Sequence, residues 1–146
     1  MAAADLAQVL ALAANLPEAP HWPESAYASA LNPDSTPRRI ALVAAEPQPD
    51  SILGFAVASL LAPQAELETI AVAAASQRRG LGRQLFHALV AELVAAGAHE
   101  LLLEVRSSNR PARAFYQSLG FIQTGLRRGY YQDPMEDAVL MRRPLA

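Results

Sequence analysis

The chain has 146 residues, 52% of them hydrophobic, which is enough for one packed core and no more, so residues 1–146 read as a single domain. The absence of cysteine excludes disulfides, thiol catalysis and cysteine-ligated metal, and the three histidines, His21, His87 and His99, form no i, i+4 ligand pair, so no metal site is expected. The net charge of −2 hides an asymmetry: residues 1–77 carry two arginines against eight acids, a balance of −6, whereas residues 78–146 carry ten arginines against six acids, a balance of +4.

Taken in chain order, Asp5 reads as the cap of a helix whose Leu6, Val9, Leu10, Ala13 and Leu16 form one apolar face as far as Pro17. Pro20 and Pro23 bracket His21-Trp22, after which residues 24–31 fit a second short helix. Residues 39–45 and 52–61 read as an antiparallel strand pair joined by the turn-rich Glu46-Pro47-Gln48-Pro49-Asp50. A strand is expected over 66–72. A long helix follows over 81–96, where Leu81, Leu85, Leu89 and Leu93 recur every fourth residue until Gly97 stops it. Another strand fits 99–106, and a helix over 111–119 opens at Pro111 and ends at Gly120, where a left-handed cap needs no Cβ. Strands near 121–128 and 136–142 complete an α/β (α+β) chain without repeats or linkers: a mixed, mainly antiparallel sheet flanked by helices.

The most informative segment is Gln77-Arg78-Arg79-Gly80-Leu81-Gly82-Arg83, which joins the strand at 66–72 to the helix at 81–96. Backbone N–H groups at a helix N-terminus have no intrahelical partner and sit at the positive end of the helix dipole, so they bind phosphate oxygens, and glycine lets the backbone come close. An ordinary solvated basic turn has the same composition. The spacing is neither the P-loop nor the G-x-G-x-x-G dinucleotide motif; it is Q/R-x-x-G-x-G/A.

That pattern resembles the coenzyme A pyrophosphate loop of the GCN5-related N-acetyltransferases (GNAT), and Ser108-Asn109, Tyr116 and Leu119-Gly120-Phe121 follow at that family's spacings. The resemblance is close over about 65–141 and looser before. Within the family the chain looks most like the bacterial ribosomal-protein-alanine N-acetyltransferases, through Leu103-Glu104-Val105-Arg106, Arg127-Arg128-Gly129-Tyr130-Tyr131 and Glu136-Asp137-Ala138-Val139-Leu140-Met141. It implies the GNAT fold, with one departure: the family's usual strand ahead of the first helix has no counterpart. Either the sheet lacks an edge strand or the true start lies upstream.

Glu104 interrupts a run, Leu101 to Val105, that otherwise reads as a buried strand. Burial disfavours the charged form of a carboxylate, which suits a general base, and an ion pair with Arg106, two residues on and on the same face, explains the residue equally well. Tyr116 fits core packing from its helix position alone, and Asn109 fits a helix N-cap.

The resemblance implies acetyl-CoA as cosubstrate, with Glu104 as base for the acceptor amine and Tyr116 as acid for the departing thiolate. It also implies a pyrophosphate loop of Gln77, Arg78, Arg79, Gly80, Leu81, Gly82 and Arg83, an Asn109 contact to the pantetheine arm, and backbone pairing of that arm with Ile70, Ala71 and Val72. Tyr130, Tyr131, Glu136 and Asp137 fit an acceptor site, or an aromatic-rich hairpin and a solvated strand start. The implied partner is the N-terminus of a ribosomal protein; a small-molecule amine, a lysine side chain or a non-catalytic coenzyme A sensor remain alternatives. A net acidic chain without an aromatic-interleaved basic stripe disfavours nucleic acid. Apolar runs broken by Glu, Gln or Arg before membrane-spanning length disfavour a membrane, so a cytoplasmic protein is expected. Oligomeric state is not legible.

Overall fold

The computed structural model describes residues 1–16, 22–32, 34, 37–46, 51–77, 80–132 and 134–145. Arg78, Arg79, Pro17, Pro20, His21 and the expected turn at 47–50 lie outside them. Two short helices open the chain, α1 (Leu6–Ala14) and α2 (Glu24–Ala30). Asp5 makes no side-chain cap to α1; its carboxylate accepts from the Ala2 N–H at 2.8 Å instead. The buried stripe of α1 is Val9, Leu12 and Ala13, with Leu6, Leu10 and Leu16 packing at its margin, so the apolar face centres on Leu12.

Six strands follow: β1 (Arg38–Glu46), β2 (Ser51–Leu61), β3 (Gln64–Val72), β4 (Glu100–Arg106), β5 (Ile122–Tyr131) and β6 (Glu136–Pro144). They form one sheet in the order β1-β2-β3-β4-β6-β5, antiparallel throughout except for β3 and β4. A parallel pair needs a crossover. Here it is α3 (Leu81–Ala95), and α4 (Arg110–Ser118) connects β4 to β5. Gly97 and Gly120 end α3 and α4 with φ of +97° and +95°, as the sequence predicts. Among the described residues no strand precedes α1; the Met1 ammonium donates to the Ala41 carbonyl on β1 at 3.0 Å.

Helices cover both faces of the sheet. On one face Phe86, Leu89 and Leu93 of α3 pack with Leu101, Leu103, Val105, Val139, Met141 and Phe121. On the other, Val9, Leu12 and Tyr27 of α1 and α2 pack on Phe55, Val57 and Ala71. Each large side chain so buried stabilises the fold by about 1.5–3 kcal/mol. Among the described residues no helix packs on the second face beyond β3: Glu100, Leu102, Glu104 and Arg106 alternate there, each half-buried, while Leu101, Leu103 and Val105 point inward.

Two irregularities shape what lies between the layers. The β3–β4 ladder pairs only Gln64, Ala65 and Glu66 with Glu100, Leu101 and Leu102, and beyond that point the strands part. The β2–β3 register also shifts, Val57 facing Thr69 but Ala58 facing Leu67, so Glu68 is a bulge residue. Ahead of the bulge Ala65 and Leu67 enter the α3-side core; after it Ala71 enters the α1/α2-side core.

Candidate active site

The split between β3 and β4 opens into a cavity of about 550 Å³. Ile70, Ala71 and Val72 form one wall, Ser76 and Gln77 the floor of the connecting loop, Gly80 to Arg83 the mouth of α3, and Pro111, Ala112, Phe115 and Tyr116 of α4 the far wall. Of the predicted cofactor residues, eight described ones (Ile70, Ala71, Val72, Gln77, Gly80, Leu81, Gly82, Arg83) and Tyr116 therefore meet in one place. Ser76, Pro111, Ala112 and Phe115 were not named among the cofactor residues, although the apolar spacing of Ala112, Phe115 and Tyr116 was a readable signal.

Close approach is built into the mouth. Gly80 holds φ of +77°, a left-handed conformation that favours glycine, and among the described residues no side chain caps α3 at its N-terminus, where first-turn N–H groups lack intrahelical partners. A Cβ on Gly82 would lie 3.3 Å from the Phe115 ring. Gly54, overlooked in the sequence, is tighter: its Cβ would lie 2.7 Å from the Ala71 carbonyl. Gln77 donates through Nε2 to the Val72 carbonyl (3.0 Å) and Arg83 donates to Ser118 Oγ (3.1 Å), so both side chains brace the loop and helix around the cavity. Asn109 accepts from the Ala112 N–H at 3.2 Å as the N-cap of α4, and it stands outside the cavity lining. A slot between parted strands that ends at a helix N-terminus fits a long thin arm followed by a pyrophosphate, the arrangement found in coenzyme A, where the pyrophosphate joins the pantetheine arm to the nucleotide.

Tyr116 packs its ring against Phe115 and Phe121, both at 5.7 Å. Burial first, and then the charge of Tyr131, push its hydroxyl up to about 12, so the proton is in place throughout the neutral range.

Glu104 lies on the bare face, half-buried rather than sealed in an apolar run. Its partner is not Arg106. It pairs with Arg127 of β5 at 3.1 Å, while Arg106 turns to Glu136 at 3.4 Å. Arg127 also lies over the Tyr130 ring, 4.7 Å from its centre. Hydrogen bonding to Glu104 and the charge of Glu104 push the Tyr130 hydroxyl up. Burial, then Glu104 and Tyr130, push Tyr131 up to about 12. Glu66, also overlooked, faces Leu102 across the parallel ladder and so shares the face of Glu104; desolvation, then the charges of Glu104 and Glu68, raise its carboxyl. Glu68 is held by Arg39 at 2.8 Å.

Glu136 and Asp137 are both engaged by hydrogen bonds from neighbouring residues. Glu136 accepts from the Ser108 N–H (2.7 Å) and Ser107 Oγ (3.2 Å) as well as from Arg106, with the Ser108 bonds first among the causes that hold its carboxyl low. Asp137 accepts from the Gly129 N–H at 2.9 Å, supporting a glycine with φ of +60°. Tyr130 and Tyr131, in contrast, stand beside Glu104. No group of three or more His, Asp or Glu able to hold a metal occurs among the described residues, and no described helix is long and apolar enough to cross a membrane.

Residues 7–121 match the acetyltransferase (GNAT) family. The chain belongs to that family. It is 43% identical over 99 residues to the [ribosomal protein bS18]-alanine N-acetyltransferase of Salmonella typhimurium, a span covering 66% of this chain and 67% of the relative. The crystal structure of the ribosomal-protein-S18-alanine N-acetyltransferase from Escherichia coli superposes with a TM-score of 0.85 at 34% identity, covering 100% of this chain and 91% of that one. Chaetomium thermophilum Naa20, solved in complex with a bisubstrate analogue, gives a TM-score of 0.86 at 27% identity over 99% of this chain and 84% of its own. The fold is thus the GNAT fold and the protein is an acetyltransferase; enzymes of this family take the acetyl group from acetyl-CoA.

Proposed function

We propose that this GNAT enzyme moves the acetyl group of acetyl-CoA to the α-amine of an N-terminal alanine on a ribosomal protein, a reaction met in the cytoplasm. The observation that carries this reading is the placement of Glu104, Tyr130 and Tyr131 on the bare face of the sheet, across the β3–β4 split from the cavity that Tyr116 lines. The similarity to ribosomal-protein-alanine N-acetyltransferases over the full fold supports the same acceptor.

In this reading the coenzyme A pyrophosphate rests on the N–H groups of Gly80 to Arg83, and the pantetheine arm lies along Ile70 to Val72 where β4 no longer occupies the edge. The acceptor ammonium displaces Arg127 and gives a proton to Glu104. Its nitrogen attacks the thioester carbonyl carbon, the C–S bond breaks, and Tyr116 protonates the departing thiolate. The attacking nitrogen sheds its second proton to solvent as the intermediate collapses to the amide; solvent also takes the proton from Glu104 and returns one to Tyr116, so one proton is released per transfer. A phenol at about 12 is a weak acid beside a thiol of about 8.5. Tyr116 therefore begins as a hydrogen-bond donor to the sulfur and yields its proton only as bond cleavage concentrates charge there.

Glu66 forms no ion pair or hydrogen bond among the described residues, whereas Glu68 and Glu104 each have an arginine. A free carboxylate beside the reacting amine favours a guanidinium in the second position of the acceptor. A peptide beginning Ala-Arg is therefore acetylated at its α-amine in preference to a peptide beginning Ala-Glu, a lysine ε-amine or spermidine. Glu66→Gln and raised salt each narrow the gap between the two peptides. Competition among the four acceptors with acetyl-CoA, read by mass spectrometry, tests this; spermidine or the ε-amine winning would overturn the proposed acceptor.

A further inference from the structure

The tip of the β5–β6 hairpin has almost no apolar anchorage. The ladder breaks between the Arg127–Ala138 pair and the Tyr131–Glu136 pair, and Tyr130 and Met135 are 46% and 73% exposed. Apart from the half-buried Tyr131, packing contributes little to holding the described residues of this segment against the sheet.

The side chain that reaches its tip most extensively from β4 is Arg106. Arg106, the last residue of β4, donates from Nη1 to the Pro134 carbonyl (3.2 Å) and to Glu136 Oε1 (3.4 Å), and from Nη2 to the Gln132 carbonyl (3.0 Å). Its guanidinium also lies over the Tyr131 ring, 4.5 Å from the centre. Glu136 carries the connection onward to Ser107 and Ser108, the turn that ends at Asn109, the N-cap of the helix bearing Tyr116. A single planar group thus ties together the strand that carries Glu104, the hairpin that carries Tyr131, and the approach to α4.

We infer that Arg106 is a positioning residue: it latches the hairpin so that Tyr130 and Tyr131 form a fixed wall for the acceptor beside Glu104. The inference rests on the acceptor reading above. The latch needs a fork with donors in a plane and a flat face for the ring, and a lysine ammonium supplies neither. Arg106→Lys keeps the charge and loses the geometry.

The test uses the intact enzyme with Arg106→Ala and Arg106→Lys, read in two ways. Hydrogen-exchange mass spectrometry over residues 129–136 reports the latch without reference to any acceptor. Steady-state kinetics with the Ala-Arg peptide, beside acetyl-CoA titration, reports its use. We expect faster exchange across the hairpin in both variants, a rise in peptide KM of about tenfold or more, a smaller change in kcat, and acetyl-CoA affinity within about twofold of wild type. Wild-type exchange in both variants would overturn the latch, and so would full rescue of exchange and KM by lysine. Faster exchange with unchanged peptide KM would overturn the positioning role while leaving the latch. Failure of the wild-type enzyme to use the Ala-Arg peptide would instead strike the acceptor reading, with the exchange experiment still deciding the latch. Should Arg106→Ala not fold, Arg106→Lys carries both measurements.

Discussion

Glu104 and Arg127 meet where the Arg127 side chain is 53% exposed, and an ion pair placed so close to water is worth at most about 1 kcal/mol. An incoming ammonium can therefore take the carboxylate from the guanidinium at little cost. If Glu104 then accepts a proton and Tyr116 later gives one, Glu104→Gln and Tyr116→Phe each lower kcat by about 100-fold or more with acetyl-CoA affinity nearly intact. Single-turnover rates beside calorimetric titration check this, and two variants with wild-type rates would remove both residues from the chemistry. Tyr116 also has a consequence for stability. Its hydroxyl is raised from 10.0 in the unfolded chain to about 12 in the fold, so between these values the unfolded state holds fewer protons and unfolding is favoured as pH rises. The stabilising contribution is whole below pH 10 and is lost through about 12. Melting temperatures from pH 9 to 12 should fall less steeply in Tyr116→Phe than in the wild type. Both residues were singled out in the sequence by the motif positions of the resemblance, and the structure sets Tyr116 in the cavity wall and Glu104 on the opposite face of the sheet. The partner of Glu104 was not, because spacing along one strand offered Arg106, whereas Arg127 arrives from β5 across the small Ala138 of the intervening strand. Which long side chain crosses a third strand is decided by register, and register is a property of the assembled sheet.

Among the elements, α3 joins two tasks. Its middle fills the core with Phe86, Leu89 and Leu93, while its first turn, opened by Gly80, faces the cavity. Leu81 belongs to the second task although its spacing matches the first. Gly82→Asp places a Cβ against the Phe115 ring and a carboxylate among N–H groups poised for phosphate, so coenzyme A affinity falls by well over an order of magnitude. Calorimetry on a variant with native circular dichroism measures the loss; undiminished affinity would move the phosphate site away from this helix. The loop was readable because its glycines and arginines stand between a strand pattern and a helix pattern. The bulge at Glu68 was not read. Its trace is the step from Leu67 to Ile70, three residues where alternation needs two, and a short strand offers too few periods to make one slip conspicuous.

For the molecule as a whole, the order of elements was recoverable from punctuation by proline and glycine, and every predicted strand and helix lies within a few residues of an observed one. The division of charge was visible too, but its use was not. The acidic half supplies Glu66 and Glu68 to the same bare face where the basic half supplies Arg106 and Arg127, so the two halves interleave at the site rather than serving one substrate each. Glu136 and Asp137, which the sequence left open between an acceptor site and a solvated strand start, accept from the Ser108 and Gly129 backbone N–H groups, contacts set by hairpin geometry.

The parting of β3 and β4 after three paired residues makes the sheet a partition with a slit in it. In the proposed reaction the thioester comes to the slit from the side of α3 and α4, and the amine from the opposite face, where Glu104 stands. Neither has to leave before the other arrives, so nothing in the layout calls for a holding stage in which the acyl group waits on the protein. Two entrances also mean two exits. On the proposed reading, spent carrier and modified peptide withdraw in opposite directions, and a bulky folded acceptor presents its first residue without obstructing the turnover of the small one behind the wall.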